Sequence, residues 1–192
     1  MKKAMFLSQF LIHSRQVGSV APSSGFLARK MLPATTPWHK MHQIAELGPG
    51  TGVFTAYLEQ YRGPQSTLYL FEKNETFRST LQMRFPQLPI VDDALRLVEI
   101  VQATGRPFDL IVSGLPFANF PSELQERLFR TIHQALAPRG VFVAFQYSLL
   151  LKRKFAQHFR TLDIGYTWMN VPPAWVFKCV RLEQKSAWEP RS

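Results

Sequence analysis

Glu46-Leu47-Gly48-Pro49-Gly50-Thr51-Gly52, preceded by the apolar pair Ile44-Ala45, decides how the rest of the chain is read. An apolar run that ends in a carboxylate and a glycine-rich turn reads as a strand closing on a ligand site. A helix is expected to begin around Val53. Glycines at alternate positions let the backbone turn tightly and approach a ligand, because no Cβ intrudes. The helix N-terminus just beyond offers free N–H groups to polar ligand atoms. The G-x-G-x-G spacing differs from the G-x-G-x-x-G fingerprint of dinucleotide sites. Glu46, Gly48, Gly50, Thr51 and Gly52 are therefore candidate ligand-binding residues.

Outward from this turn, strand and helix patterns alternate. Thr67–Phe71 reads as a strand ending at Glu72, and Phe77–Phe85 as a helix ended by Pro86. Leu88–Val91 is a short strand before Asp92-Asp93-Ala94, and Leu95–Thr104 a helix stopped by Gly105. Phe108–Ser113 is a fourth strand. Ser122 and Gln125 form a capping box for a helix to Ala137. Pro138-Arg139-Gly140 then turns into a fifth strand, Val141–Gln146. A basic helix over Leu149–Phe159 precedes two strands, Gly165–Asn170 and Trp175–Leu182, joined by Val171-Pro172-Pro173. Before the turn, Ser23 or Ser24 caps a helix over Phe26–Leu32 that Pro33 stops. Ala4–Val17 reads as a moderately amphipathic basic helix with Phe6, Leu7, Phe10 and Leu11 on one face. It suits either a membrane surface or ordinary packing on the domain. The alternation predicts an α/β fold: a mostly parallel seven-stranded sheet with helices on both faces, in one domain over residues 1–192. Residues 183–192 are expected to be a tail.

Composition narrows the function classes. A chain of 192 residues, 46 % hydrophobic with 16 Phe, is long enough and apolar enough for a real core. Its one cysteine, Cys179, permits no internal disulfide and leaves a Cys/His zinc site short of ligands, so no metal is expected. No run of apolar residues is long enough to cross a membrane as a helix. The net charge of +10 is unevenly spread. Residues 1–45 carry six Lys/Arg and no acid, residues 46–138 eight against ten acids, and residues 139–192 nine against three. Basic flanks around a mildly acidic centre attract a polyanion, either nucleic acid or an anionic membrane surface.

The acid two positions before the first glycine, with the G-x-G-x-G turn, resembles motif I of class I S-adenosylmethionine (SAM) methyltransferases. That cofactor carries no phosphate, and its carboxylate and amino groups suit a glycine turn flanked by a carboxylate. In such a Rossmann-like fold, ligands sit outside the C-terminal ends of the strands. Glu72 ends the second strand, where a carboxylate can accept from both ribose hydroxyls. Asp93-Ala94 follows the third, where an acid can accept from the adenine amino group; Asp92 leaves that assignment open by one residue. Ser113-Gly114-Leu115-Pro116-Phe117 ends the fourth, bordering the transferred methyl and its acceptor.

Further segments resemble bacterial phospholipid N-methyltransferases of this class. They are Val17-Gly18-Ser19-Val20-Ala21-Pro22-Ser23-Ser24, Ser113–Phe117 with Asn119-Phe120-Pro121, Phe145-Gln146-Tyr147 and Asn170-Val171-Pro172-Pro173-Ala174. The resemblance implies methylation of the phosphatidylethanolamine amine, in up to three rounds toward phosphatidylcholine, with S-adenosylhomocysteine as by-product. It implies an N-terminal amphipathic helix over residues 1–17 at the membrane, and a protein peripheral on the inner face of the cytoplasmic membrane; a monomer is expected, though the sequence leaves the oligomeric state open. The acceptor amine must be neutral to attack, so a group that takes or orients its proton is expected. Tyr147 is the candidate catalytic residue; packing beneath the N-terminal helix is its other reading. Arg15, Lys152, Arg153 and Lys154 are candidates for the lipid phosphate, or a solvated basic face. Ribosomal RNA adenine dimethyltransferases share the E-x-G-x-G-x-G motif. Gly114 replaces the Asn of their N-L-P-Y segment, which makes nucleic acid the less expected acceptor. A SAM-binding membrane protein without catalysis is the third reading.

Overall fold

The computed structural model of the chain describes residues 31–32, 36–167 and 174–182. The expected helix over residues 1–17, most of the helix ending at Leu32, the segment Asn170–Pro173 and the tail after Leu182 lie outside the described residues.

β1 (Gln43–Leu47) is buried along its whole length, as a parallel strand covered on both faces must be. On one side it pairs in parallel with β2 (Thr67–Phe71), and β2 with β3 (Ile90–Val91). On the other it pairs with β4 (Phe108–Ser113), and β4 with β5 (Leu136–Gln146). β6 (Phe159–Thr167) forms the far edge, and β7 (Ala174–Arg181) runs antiparallel between it and β5. The order β3-β2-β1-β4-β5-β7-β6 makes one seven-stranded, mostly parallel sheet. The helices are α1 (Val53–Tyr61), α2 (Glu75–Arg84), α3 (Leu97–Thr104), α4 (Ser122–Ala135) and α5 (Lys152–His158). Successive crossovers build outward from β1 on one side and then from β4 on the other. The crevice between the C-terminal ends of β1 and β4 is therefore the topological switch point, where ligands bind in open sheets of this kind.

Apolar layers cover both faces. One contains Phe108, Phe129, Phe142, Phe155 and Phe177 from β4, α4, β5, α5 and β7. Phe155 stacks on Phe177 with ring centroids 4.6 Å apart. The other joins Ile44, Leu110 and Val143 of the sheet to Leu58 of α1 and Leu81 of α2.

Four local expectations are corrected. The capping box at Ser122 and Gln125 does not form: Pro121 occupies the N-cap position with no side-chain bond. Ser122 Oγ instead accepts from Lys154 Nζ, and the Gln125 amide turns toward the preceding loop. The helix expected to reach Ala137 ends at Ala135, and β5 runs through Pro138 rather than starting after it. The ladder to β4 is irregular between Phe108 and Leu110, because Pro138 has no N–H to give it. α5 starts at Lys152 rather than Leu149, and β6 starts at Phe159 rather than Gly165. Phe159 is buried in the phenylalanine layer, which favours its strand placement over another turn of helix. Finally, α2 begins at Glu75, two residues before the expected start, because Asn74 Oδ1 caps Phe77 N at 3.1 Å.

Candidate active site

The loop after β1 is held from three sides. Gly48 N donates to Phe71 O of β2 and Gly52 N to Pro49 O, both at 2.9 Å. Gly50 N donates to Glu72 Oε2 at 3.0 Å, and the other oxygen of that carboxylate accepts from Asn74 N at 2.8 Å. Gly48, Gly50 and Gly52 all have positive φ, between 57° and 81°. Side chains adopt that region poorly. At Gly52 space also forbids one: a Cβ would lie 2.7 Å from the Phe85 ring and 2.9 Å from Leu81 Cδ2. Thr51 precedes α1, and Arg84 Nη1 donates to its carbonyl. Glu72, expected to meet ribose hydroxyls, thus also braces the glycine loop across the sheet. Its carboxylate oxygens have further lone pairs for other donors.

Glu46 is 3 % exposed at the end of β1. Thr55 Oγ1, from the first turn of α1, donates to its Oε2 at 2.7 Å. Burial pushes the Glu46 carboxyl up from 4.5 to about 8; the Thr55 bond opposes this and the nearby Glu72 charge adds to it. Among the described residues neither carboxylate has a cationic partner. Two buried acids beside a bare backbone loop, with no counter-cation, form a site matched to a cationic ligand with its own donors. An ammonium-bearing sulfonium nucleoside fits that description.

The remaining strand ends complete the rim. Asp93 Oδ1 accepts from Leu95 N at 2.9 Å, and Ala94 is buried against the core. Asp92 is exposed and pairs with Arg96 at 2.8 Å. Asp93 is the less exposed of the two, with Oδ2 3.9 Å from Lys73 Nζ. Ser113 is fully buried at the end of β4, and its Oγ accepts from Leu115 N at 3.2 Å. Gly114 N donates to Leu47 O, locking the two strand ends together. A Cβ on Gly114 would approach the Gly48 carbonyl to 3.1 Å, so the loops after β1 and β4 come this close only through glycine. Tyr147, 37 % exposed, follows β5. Its ring centroid lies 6.0 Å from that of Phe145, whose edge in turn faces Gly114.

Three polar residues to which the sequence reading gave no part in the site hold this rim. Thr55 is one. Gln146, buried at the end of β5, donates through Nε2 to Leu115 O at 2.9 Å. Gln125 donates to both Phe117 O and Phe120 O at 2.9 Å, fixing the loop after β4. The only signal was a glutamine at a position whose helix periodicity calls for an apolar residue. Lys154 is committed here too, with Nζ 2.6 Å from Gln125 Oε1. Half-buried Lys154 thus gives two of its three donors to Gln125 and Ser122, while Lys152 and Arg153 are exposed. Arg15 lies outside the described residues. Among the described residues no cluster of His, Cys, Asp and Glu could hold a metal. Cavities of about 440 and 470 Å³, at Arg130 and Arg181 and at His42 and Arg106, share no residue with this crevice.

The methyltransferase-domain family matches residues 45–144, from β1 through β5. Over 181 residues the chain is 33 % identical to the ornithine lipid N-methyltransferase of Singulisphaera acidiphila, spanning 91 % of this chain and 94 % of that one. The N-methyltransferase NodS of Bradyrhizobium japonicum, solved with S-adenosylhomocysteine, superposes with a TM-score of 0.68 at 14 % identity, over 91 % of this chain and 98 % of NodS. The 1,6-didemethyltoxoflavin-N1-methyltransferase of Burkholderia thailandensis gives 0.63 at 15 % identity, over 94 % and 87 %. The structural neighbours carry the fold, and the sequence match carries the kinship. The chain belongs to the methyltransferase-domain family of Rossmann-like enzymes, with S-adenosylmethionine as cofactor.

Proposed function

We propose that this enzyme methylates the primary amine of a membrane-lipid headgroup, working as a peripheral protein on the inner face of the cytoplasmic membrane. The observation that carries the reading is the near end-to-end match to an ornithine lipid N-methyltransferase. Phosphatidylethanolamine, to which the V-G-S-V-A-P-S-S and S-G-L-P-F segments point, and ornithine lipid, named for the relative, both present an amine nitrogen. The basic flanks favour an anionic lipid surface.

SAM supplies a sulfonium-activated methyl group, so the protein's task is placement. Glu46, with Thr55 behind it, would hold the amino-acid end, Glu72 the ribose, and Asp93 with Ala94 the adenine. Gly48, Gly50, Thr51 and Gly52 would offer backbone contacts. Ser113 to Phe117, pinned by Gln125 and Gln146, would form the wall beside the acceptor nitrogen. Holding nitrogen, carbon and sulfur in line accounts for most of the acceleration. Tyr147, just after β5, would orient the amine and accept its hydrogen bond. Gly114 offers no side-chain acceptor for an adenine base, which counts against RNA.

The test is incubation with labelled SAM, 16S and 23S RNA, and vesicles containing phosphatidylethanolamine, ornithine lipid or neither, followed by separation of the lipids from the RNA. Label in an aminolipid is expected. Label in 16S or 23S RNA, with none in either lipid, overturns the proposal.

A further inference from the structure

The turn after β5 presents two leucines to solvent. Leu149 is 39 % and Leu150 76 % exposed. The turn is nevertheless built firmly. Leu150 N donates to Ser148 Oγ at 3.0 Å, Lys152 N to Leu149 O at 2.9 Å, and Leu151 is buried in the phenylalanine layer. The leucines are therefore held outward by a fixed knuckle.

Charge follows directly. Lys152 and Arg153 are exposed at the next positions. Between Glu126 and Asp163 the chain has seven Lys/Arg and no acid. Along the same sheet edge, Gln146 of β5 faces Trp175 of β7, which faces Tyr166 of β6. The Tyr166 and Trp175 rings lie 4.7 Å apart, and Tyr166 is 47 % exposed. Isolated exposed leucines need no explanation. A rigid leucine pair flanked by cations, with tyrosine and tryptophan on the adjoining strands, has the make-up of an interfacial membrane contact. A polynucleotide would use the cations but gain nothing from Leu149 and Leu150.

We infer that the Leu149–Arg153 turn and the Tyr166–Trp175 pair seat on an anionic bilayer, leucines below the headgroups and Lys152 and Arg153 among the phosphates. The C-terminal ends of β4 and β5 then open onto the headgroup layer. The inference rests on the lipid-acceptor reading and adds a contact separate from residues 1–17.

The test uses the full chain carrying Leu150→Cys, labelled with an environment-sensitive fluorophore. Cys179 is fully buried, with its thiol pushed up to about 12, and stays silent to labelling. Met83→Cys, 78 % exposed near the C-terminal end of α2, is the control on the opposite edge. The vesicles are phosphatidylcholine with phosphatidylglycerol and contain no aminolipid. The label at position 150 is expected to shift to the blue and to be quenched by spin labels in the acyl chains, while the label at 83 does neither. A Leu149→Glu/Leu150→Glu variant should bind vesicles at least tenfold more weakly while binding SAM normally in calorimetry, and Lys152→Glu/Arg153→Glu should lose the preference for anionic lipid. An unshifted label at 150, or leucine-variant binding within twofold of the parent, overturns the inference. Loss in the charge variant alone marks a general polyanion patch, such as one for RNA, and overturns it as well. Docking without transfer to any aminolipid would instead count against the proposed function.

Discussion

Replacing Glu46 by glutamine should make the apoprotein more stable and the enzyme useless. The Glu46 carboxyl is raised from 4.5 to about 8 on folding. Between those values the native state holds a proton that the unfolded chain has released. Stability therefore falls as pH rises across that window and is undiminished below it. At about 1.4 kcal/mol per unit, the penalty is on the order of 3 kcal/mol at pH 7 and 4 kcal/mol at pH 8. Glutamine keeps the shape and an oxygen for Thr55 Oγ1 but has no charge to bury. Urea unfolding of the apoprotein should show Glu46→Gln matching the parent at pH 4.5 to within about 1 kcal/mol and exceeding it by roughly 2–4 kcal/mol at pH 8. Calorimetry should show SAM affinity lost in the variant. In the parent, affinity should climb about tenfold from pH 6 to pH 7, because the ligand's ammonium selects the ionised carboxylate. An equal stability difference at both pH values would refute the argument, as would SAM binding that survives the substitution.

Gly52→Ala forces a side chain into positive φ and against Phe85 and Leu81. It should cost about 1–3 kcal/mol in urea unfolding and weaken SAM binding, and an unchanged unfolding midpoint would contradict the cradle geometry. Gln146→Leu removes the bond to Leu115 O. It should lower stability by about 1 kcal/mol and cut kcat more than SAM affinity; the reverse pattern would place Gln146 with the cofactor rather than the acceptor loop. Tyr147→Phe should reduce kcat for the aminolipid by about 100-fold with SAM binding intact, and full activity would leave Tyr147 as a wall of the site.

The sheet was legible because its strands are short apolar runs separated by glycine, proline and paired acids. Thr67–Phe71 and Phe108–Ser113 begin and end where the pattern places them. The glycine turn was legible for a related reason, since only glycine tolerates its backbone. What escaped is held by polar bonds between residues far apart in the chain. Thr55 reads as an ordinary helix residue until β1 brings Glu46 beneath it. Gln125 and Lys154, 29 residues apart, meet only because α5 packs beside α4. Local pattern also misjudged the stretch from Ala135 to Gln146. Pro138 and Gly140 read as a turn, yet the ladder beside β4 takes them in as an irregularity.

The two outermost strands carry a last consequence. β3 is two residues long, too short to template another strand. β6 is longer, but its pairing with β7 shifts register between Thr161 and Asp163, leaving Leu162 out of step. A broken ladder is a poor surface for a second chain to extend. Copies crowded together would find, on the two outer strands of the described sheet, no flat margin along which to stack into fibrils.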